Sequence, residues 1–287
     1  MTKSQNRFPA AYILPALGLA AVVWGLPLVY AAFLSLTNAT PGSAGDFTGL
    51  ANYLRALTDP GFGGSVLVGI VFALGVAGLN VGVGFGIALA LRAHSGARTI
   101  SQTALLLPWV LSELAVALIW IGFCHESNGL LNMALQGLGL PRLLYRSSAT
   151  AAMGVLWMAS LWRGLAFSAM LQMAGLASLP RTLLSAAKVD GARFPQIFHS
   201  IIWPHQSRLV AVNLLLVFLY SFIAFALPFA LTGGGPLGAT EFVSLYAYRT
   251  AFSGDFELGY AAAQGVVVLL SYAVFMMLLL RLRRRAT

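Results

Sequence analysis

The sequence predicts an all-α polytopic membrane protein with six transmembrane helices, and three observations predict it. Of its 287 residues 59% are hydrophobic and only 9% charged, against about 25% charged in a soluble domain. Six long stretches carry at most one charge each, and a helix needs roughly 20 apolar residues to cross the hydrocarbon core. Their Leu, Ala and Val runs lack the alternation of barrel strands, so each segment must satisfy its own backbone as a helix.

Taken in order, the first span covers residues 10–36 and follows Lys3 and Arg7. Its apolar run exceeds the roughly 7–15 residues of a secretory signal core, so it reads as an uncleaved helix. The second covers 63–91, where Gly78, Gly82, Gly84 and Gly86 offer small-xxx-small spacing for close helix approach. No strand precedes Gly82-Val83-Gly84, so a dinucleotide loop is excluded. The third, 100–124, contains only Glu113, one turn after Pro108-Trp109, and the fourth, 150–176, contains only Arg163. The fifth, 209–232, is expected to kink or end at Pro228, and the sixth covers 259–280. Residues 1–287 thus read as a single transmembrane domain.

The formal charge of +9 would suggest a nucleic-acid partner in a soluble protein, but the loops explain it. With six spans both termini share one side, which holds Lys3, Arg7, Arg92, Arg98, Arg181, Lys188, Arg193, Arg208, Arg281, Arg283, Arg284 and Arg285. The opposite loops hold only Arg55, Arg142, Arg146 and Arg249. The inside-positive rule then places both termini in the cytoplasm, with the terminal Arg cluster on anionic lipid headgroups rather than nucleic acid. Cys124 is the single cysteine, so internal disulfides and zinc knuckles drop out. His125-Glu126 lacks a second histidine at metal spacing, and no Gly-x-Ser-x-Gly is present.

The cytoplasmic loop 177–207 has internal order. Residues 179–188 read as a short helix with Pro180 near its start, Asp190-Gly191 as a turn, and Phe194, Ile197, Phe198, Ile201 and Ile202 as a second helical face ending before Trp203-Pro204. Ser185-Ala186-Ala187-x-x-Asp190-Gly191-Ala192-x-x-x-Gln196-x-Phe198-x-x-Ile201-x-x-Pro204 resembles the EAA motif of binding-protein-dependent ABC importer permeases. Ser185 stands where that family usually has Glu, and Trp203 where it usually has Leu. Ile13-Leu14-Pro15-Ala16, Pro27-Leu28-Val29-Tyr30, Leu34-Ser35-Leu36-Thr37, Gly49-Leu50-Ala51-Asn52-Tyr53, Leu107-Pro108, Trp120, Gly129-Leu130-Leu131-Asn132 and Leu231-Thr232-Gly233-Gly234-Gly235-Pro236 with Ala239-Thr240 resemble carbohydrate permeases of the maltose and glycerol-phosphate importer type. The resemblance covers nearly the whole chain in order.

It implies the ABC importer type I permease fold in a prokaryotic inner or plasma membrane. The implied partners are a second permease subunit, two copies of an ABC ATPase, an extracytoplasmic solute-binding protein, a carbohydrate substrate and membrane lipid. The chain has only two lysines, Lys3 and Lys188, neither in a phosphate-cradling loop. It therefore binds no cofactor of its own and is no enzyme, with ATP and Mg expected on the partner ATPase. The resemblance places Ser185, Ala186, Ala187, Asp190, Gly191, Phe198, Ile201 and Pro204 in the loop that couples to that ATPase. There Ala186, Ala187 and Gly191 are expected to act by close packing and Asp190 by capping or a polar contact, with Val189 and the Phe198 run adding the apolar face.

Charges inside spans are costly and point to function, so Glu113 and Arg163 are candidates to pair with each other or to line a translocation pathway. Asn80, Asn213 and Tyr220 are further pathway candidates, as are Ser221 and Gln264, each with interhelical bonding as its alternative. Trp120 and Trp157 read as packing or interface anchors. The Gly233–Pro236 run reads as an extracytoplasmic turn, either flexible or touching the binding protein. The alternative function is an ion-coupled secondary transporter or channel with Glu113 as the ion site.

Overall fold

The computed structural model describes residues 13–93, 98–254 and 256–285. Among them there is no β-strand, only the isolated bridges Thr37–Phe47 and Thr40–Ser43. The chain divides into two compact units, residues 1–63 with 246–287, and residues 64–245. Lys3 and Arg7 lie outside the described residues, and of Arg98, Arg181, Arg281, Arg283, Arg284 and Arg285 only the backbone is described.

In the first unit, α1 (Leu14–Leu34) and α2 (Ala51–Thr58) pack on α12 (Leu258–Arg285). A π-turn at Ala21–Gly25 precedes Pro27 in α1, widening the helix where proline can neither donate nor fit against the preceding turn. The motifs around Ser35 and Asn52 bond to each other. Asn52 Nδ2 donates to the carbonyls of Ser35 at 3.0 Å and Thr37 at 2.8 Å, and the hydroxyls of Tyr53 and Ser35 meet at 2.5 Å. The Gly259 N–H donates to Ala39 O at 3.1 Å, and a Cβ at 259 would run into the Thr37 carbonyl. Asp59 Oδ2 accepts from Tyr246 at 2.8 Å and Tyr260 at 2.6 Å, while its Oδ1 accepts from the Gly61 N–H at 2.8 Å. Arg55 pairs with Glu257 at 2.7 Å and lies 4.0 Å over the Tyr260 ring.

In the second unit the long elements are α3 (Pro60–Ala93), which begins in the first, α7 (Ala149–Ala177) and α9 (Phe194–Phe222). With α1 these are, among the described residues, the unbroken helices long and apolar enough to cross a membrane. Of the four glycines expected to bring helices together, Gly84 does so: a Cβ there would fall 2.9 Å from Ala169 N. Gly78, Gly82 and Gly86 have nothing within 4 Å, and Gly75, packed under the Trp157 ring, takes part instead. Trp157 Nε1 donates to Phe72 O at 3.2 Å.

Two spans depart from the sequence reading. The third is not one helix: α4 (Arg98–Val110) and α5 (Glu113–Phe123) meet at 101°. Pro108 lacks the N–H to continue α4, and Ser112 restarts the chain as an N-cap, its Oγ accepting from Ala115 N at 3.2 Å. Glu113 therefore opens a helix rather than lying midway along one. The fifth span ends at Phe222, before Pro228, and Ser244 Oγ donates at 2.6 Å to Ala224 O freed by the break. Pro228 is the third residue of a new short helix, α10 (Ala226–Leu231), where its missing N–H would have had no helical partner in any case.

The short helices α6 (Leu130–Gly137) and α11 (Val243–Phe252) complete the described chain with α8 (Arg181–Val189). Asn132, fully buried in α6, accepts from Leu143 N at 2.7 Å and donates to Leu143 O at 3.2 Å. The Gly233–Pro236 turn is braced: Thr240 Oγ1, buried, donates to Gly235 O at 2.6 Å and lies 2.8 Å from Thr232 Oγ1.

Candidate functional site

The break between α4 and α5 creates the chemistry of the second unit. Ending α4 at Val110 leaves carbonyls without helical donors, and Arg163, at the middle of α7, donates from Nε to Leu111 O at 3.3 Å. Glu113 sits in the first turn of α5, where a negative charge suits the helix dipole. Its Oε1 lies 3.5 Å from Arg163 Nη1 and accepts a short hydrogen bond from the Tyr220 hydroxyl of α9, which in turn accepts from Arg163 Nη1 at 3.1 Å. The Arg163 and Glu113 side chains are 22% and 20% exposed, so the pair is partly shielded from solvent. One carboxylate, one guanidinium and one phenol thus tie three helices together.

These groups line a cavity of about 520 Å³, within the roughly 300–1,000 Å³ range of small-molecule sites. Phe72, Trp109 and Phe167 supply aromatic walls, and Ser160, Ser221 and Asn80 further polar groups. Asn80 is 1% exposed; its Nδ2 donates to Val76 O at 3.1 Å, while its Oδ1 has no partner. Gly164 lets the Asn80 amide pack closely on α7, because a Cβ there would stand 2.7 Å from Asn80 Oδ1. Asn213 is elsewhere, buried and accepting from Ser168 Oγ at 3.3 Å between α7 and α9. Gln264 belongs to the other unit. Trp109, Phe167 and Ser160 were not singled out by sequence, since an aromatic or serine inside a span carries no distinguishing signal until the helices are packed.

The second group of candidates forms a helical hairpin. Helix α8 ends in a full Schellman motif: Ala192 N donates to Ala187 O at 2.9 Å and Gly191 N to Lys188 O at 3.1 Å, with Gly191 at φ +78°. Gly191 is required by this left-handed turn and not by close packing within the chain, where its Cβ would meet nothing within 4 Å. Arg193, not Asp190, caps the next helix, its N–H donating to Gln196 Oε1 at 2.7 Å. That helix does not stop before Trp203-Pro204. A π-turn at Phe198–Ile202 absorbs Pro204 and carries α9 on to Phe222, as happens before Pro27.

The two faces of the hairpin differ from the expected division. Ala187, Phe198 and Ile201 pack inward on the cluster of Met173, Leu176, Ile197 and Ile202. Trp203 joins Phe85 and Phe198 in a three-ring group with centroids 6.0–6.4 Å apart. The apolar side chains left on the outside are Leu183, Val189 and Phe194, beside exposed Ser185, Ala186, Asp190 and Gly191. The root is braced by Arg92, whose Nη1 and Nη2 donate to Leu176 O at 2.6 Å and Leu179 O at 3.3 Å, closing the C-terminus of α7.

Residues 82–287 match the family described as binding-protein-dependent transport system inner membrane component. The chain is 30% identical over 280 residues to the probable ABC transporter permease protein y4oQ of Sinorhizobium fredii, covering 96% of this chain and 90% of the other. It is 31% identical to the trehalose/maltose transport system permease protein MalF of Thermococcus litoralis (95% and 93% covered). It is 30% identical to the sn-glycerol-3-phosphate transport system permease protein UgpA of Yersinia pseudotuberculosis (91% and 89%). A chain of a bacterial alginate ABC transporter, crystallised with an alginate pentasaccharide-bound periplasmic protein, superposes with a TM-score of 0.77 at 20% identity, over 92% of this chain and 91% of that one. These likenesses run through the broken span and the helical hairpin alike, and by them the chain belongs to the family of inner-membrane permease components of binding-protein-dependent ABC transport systems.

Proposed function

We propose that this chain is one transmembrane subunit of an ATP-driven importer for a sugar or related polyol. It has six spans, counting α4 with α5 as a broken third and α12 as the sixth, and both termini are cytoplasmic. A second permease subunit pairs with it, two ATPase subunits dock on its cytoplasmic side carrying ATP and Mg, and an extracytoplasmic binding protein delivers the solute. The chain itself binds neither nucleotide nor metal.

The observation that carries this reading is the α8 hairpin: a short helix with an exposed apolar edge, fixed by a Schellman turn and rooted by Arg92 on α7. A lever must be rigid at its root and free at its face. Ser185, Ala186, Asp190 and Gly191, with Leu183 and Val189, form the surface seated on the ATPase, while Phe198, Ile201 and Pro204 transmit its movement into α9. The cavity lined by Glu113, Arg163, Tyr220 and Asn80 is the translocation pathway, with Asn213 holding α9 to α7 behind it. The sugar class is supported by the names of the relatives.

The experiment is uptake in proteoliposomes holding the four transport subunits. ATP inside together with binding protein and labelled trehalose or maltose outside should give concentrative uptake, lost when ATP, the ATPase or the binding protein is omitted. Uptake by the lone chain driven by a proton gradient overturns the importer and supports the ion-coupled carrier.

A further inference from the structure

The cavity also bears on which solutes can pass, an inference that rests on the pathway reading above. Arg163 is the only cation among the described residues lining it, and Glu113 the only carboxylate. They face each other at 3.5 Å with Tyr220 bonded to both. The positive charge is therefore already balanced by Glu113, with Nη1 turned to Tyr220 and Glu113 and Nε donating to Leu111 O at 3.3 Å. A phosphate, sulfonate or carboxylate entering here would lose its hydration without meeting an unbalanced cation. The Glu113 carboxylate would repel it at short range through a shielded medium.

The rest of the lining suits a neutral ring. Trp109 and Phe167 offer apolar faces to the C–H surface of a sugar, and Ser160 and Ser221 add hydroxyl-bearing side chains to the same wall.

We infer that the Glu113–Arg163–Tyr220 cluster makes this pathway selective for uncharged polyhydroxy solutes, with Glu113 the residue that excludes anionic sugars by neutralising Arg163.

The test is direct binding to the assembled importer in lipid nanodiscs without binding protein, by equilibrium dialysis of labelled twins: maltose against maltobionate, and trehalose against trehalose 6-phosphate. The neutral member should bind at least tenfold more tightly than its anionic twin. Glu113→Gln, which leaves the guanidinium unbalanced, should bring the ratio to near one or reverse it. Glu113→Asp should keep the neutral preference, and co-elution of both variants with the ATPase reports on folding. Equal or tighter binding of the anionic twins, a ratio unmoved by Glu113→Gln, or binding of none of the four overturns the inference. ATP-driven uptake, measured on the same preparation with binding protein restored, separates that outcome from failure of the importer reading, which requires its loss.

Discussion

Gly191 occupies a left-handed position at φ +78° with open space around its α-carbon, so a side chain there is penalised by conformation and not by collision. A β-branched residue in that region costs about 1–2 kcal/mol, while asparagine tolerates it. Gly191→Val should therefore lower the number of solute molecules imported per ATP hydrolysed, and Gly191→Asn should leave that ratio nearly unchanged; both are read from parallel uptake and ATPase assays. Asp190-Gly191 was legible as a turn because few residues reach positive φ easily. Arg163 makes a second contrast. It holds Leu111 O, Glu113 and Tyr220 together, whereas Glu113 leaves the Leu111 bond intact. Arg163→Met should lower the unfolding midpoint of the purified subunit more than Glu113→Gln does, with hydrogen bonds to charged groups worth about 1.5–3 kcal/mol each. Sequence could mark both charges as costly in a span, but Tyr220 as their shared partner lies 57 and 107 residues away from them and no local pattern encodes that meeting.

At the scale of elements, α3 shows how spacing alone misleads. Gly82 and Gly84 are alike in sequence, yet only Gly84 faces α7. Gly84→Val should destabilise the subunit by about 1–3 kcal/mol through overpacking, and Gly82→Ala should be neutral or slightly stabilising through helix propensity; thermal unfolding in detergent distinguishes them. The start of α3 makes a pH prediction. Burial pushes the Asp59 carboxyl up, but hydrogen bonds from Tyr260, Tyr246 and the N–H groups of Gly61 and Phe62 outweigh it and hold the group below its ordinary 3.8. The folded state therefore favours the carboxylate, so this stabilisation is present above about pH 4 and fades as pH falls below it. Unfolding midpoints followed from pH 6 to pH 3 should drop for the natural chain and drop less for Asp59→Asn, which starts lower. The long uninterrupted helices were legible because a run of apolar residues has one backbone solution in lipid. The breaks at 111–112 and 223–225 were not, because proline marks strain without saying whether a helix bends, ends or opens a π-turn there, and this chain does all three.

For the whole molecule, the absence of a phosphate-cradling loop from the sequence and the outward edge of α8 lead to one prediction: removing the ATPase abolishes uptake without unfolding this chain. Uptake assays paired with a thermal melt of the subunit check it. Hydropathy, the sparse charges and the order of motifs by themselves determined an all-helical membrane permease and its family, since burial in lipid and the inside-positive charge bias act on composition and spacing along the chain. Only the tertiary structure decided that Glu113, Arg163, Tyr220 and Asn80 share a cavity while Asn213 does not, and that Phe198 and Ile201 turn inward while Leu183 and Val189 face out. A helix presents every side chain to some direction, and which direction is core, cavity or partner is set by the neighbouring helices, whose contacts come from residues far apart in the chain.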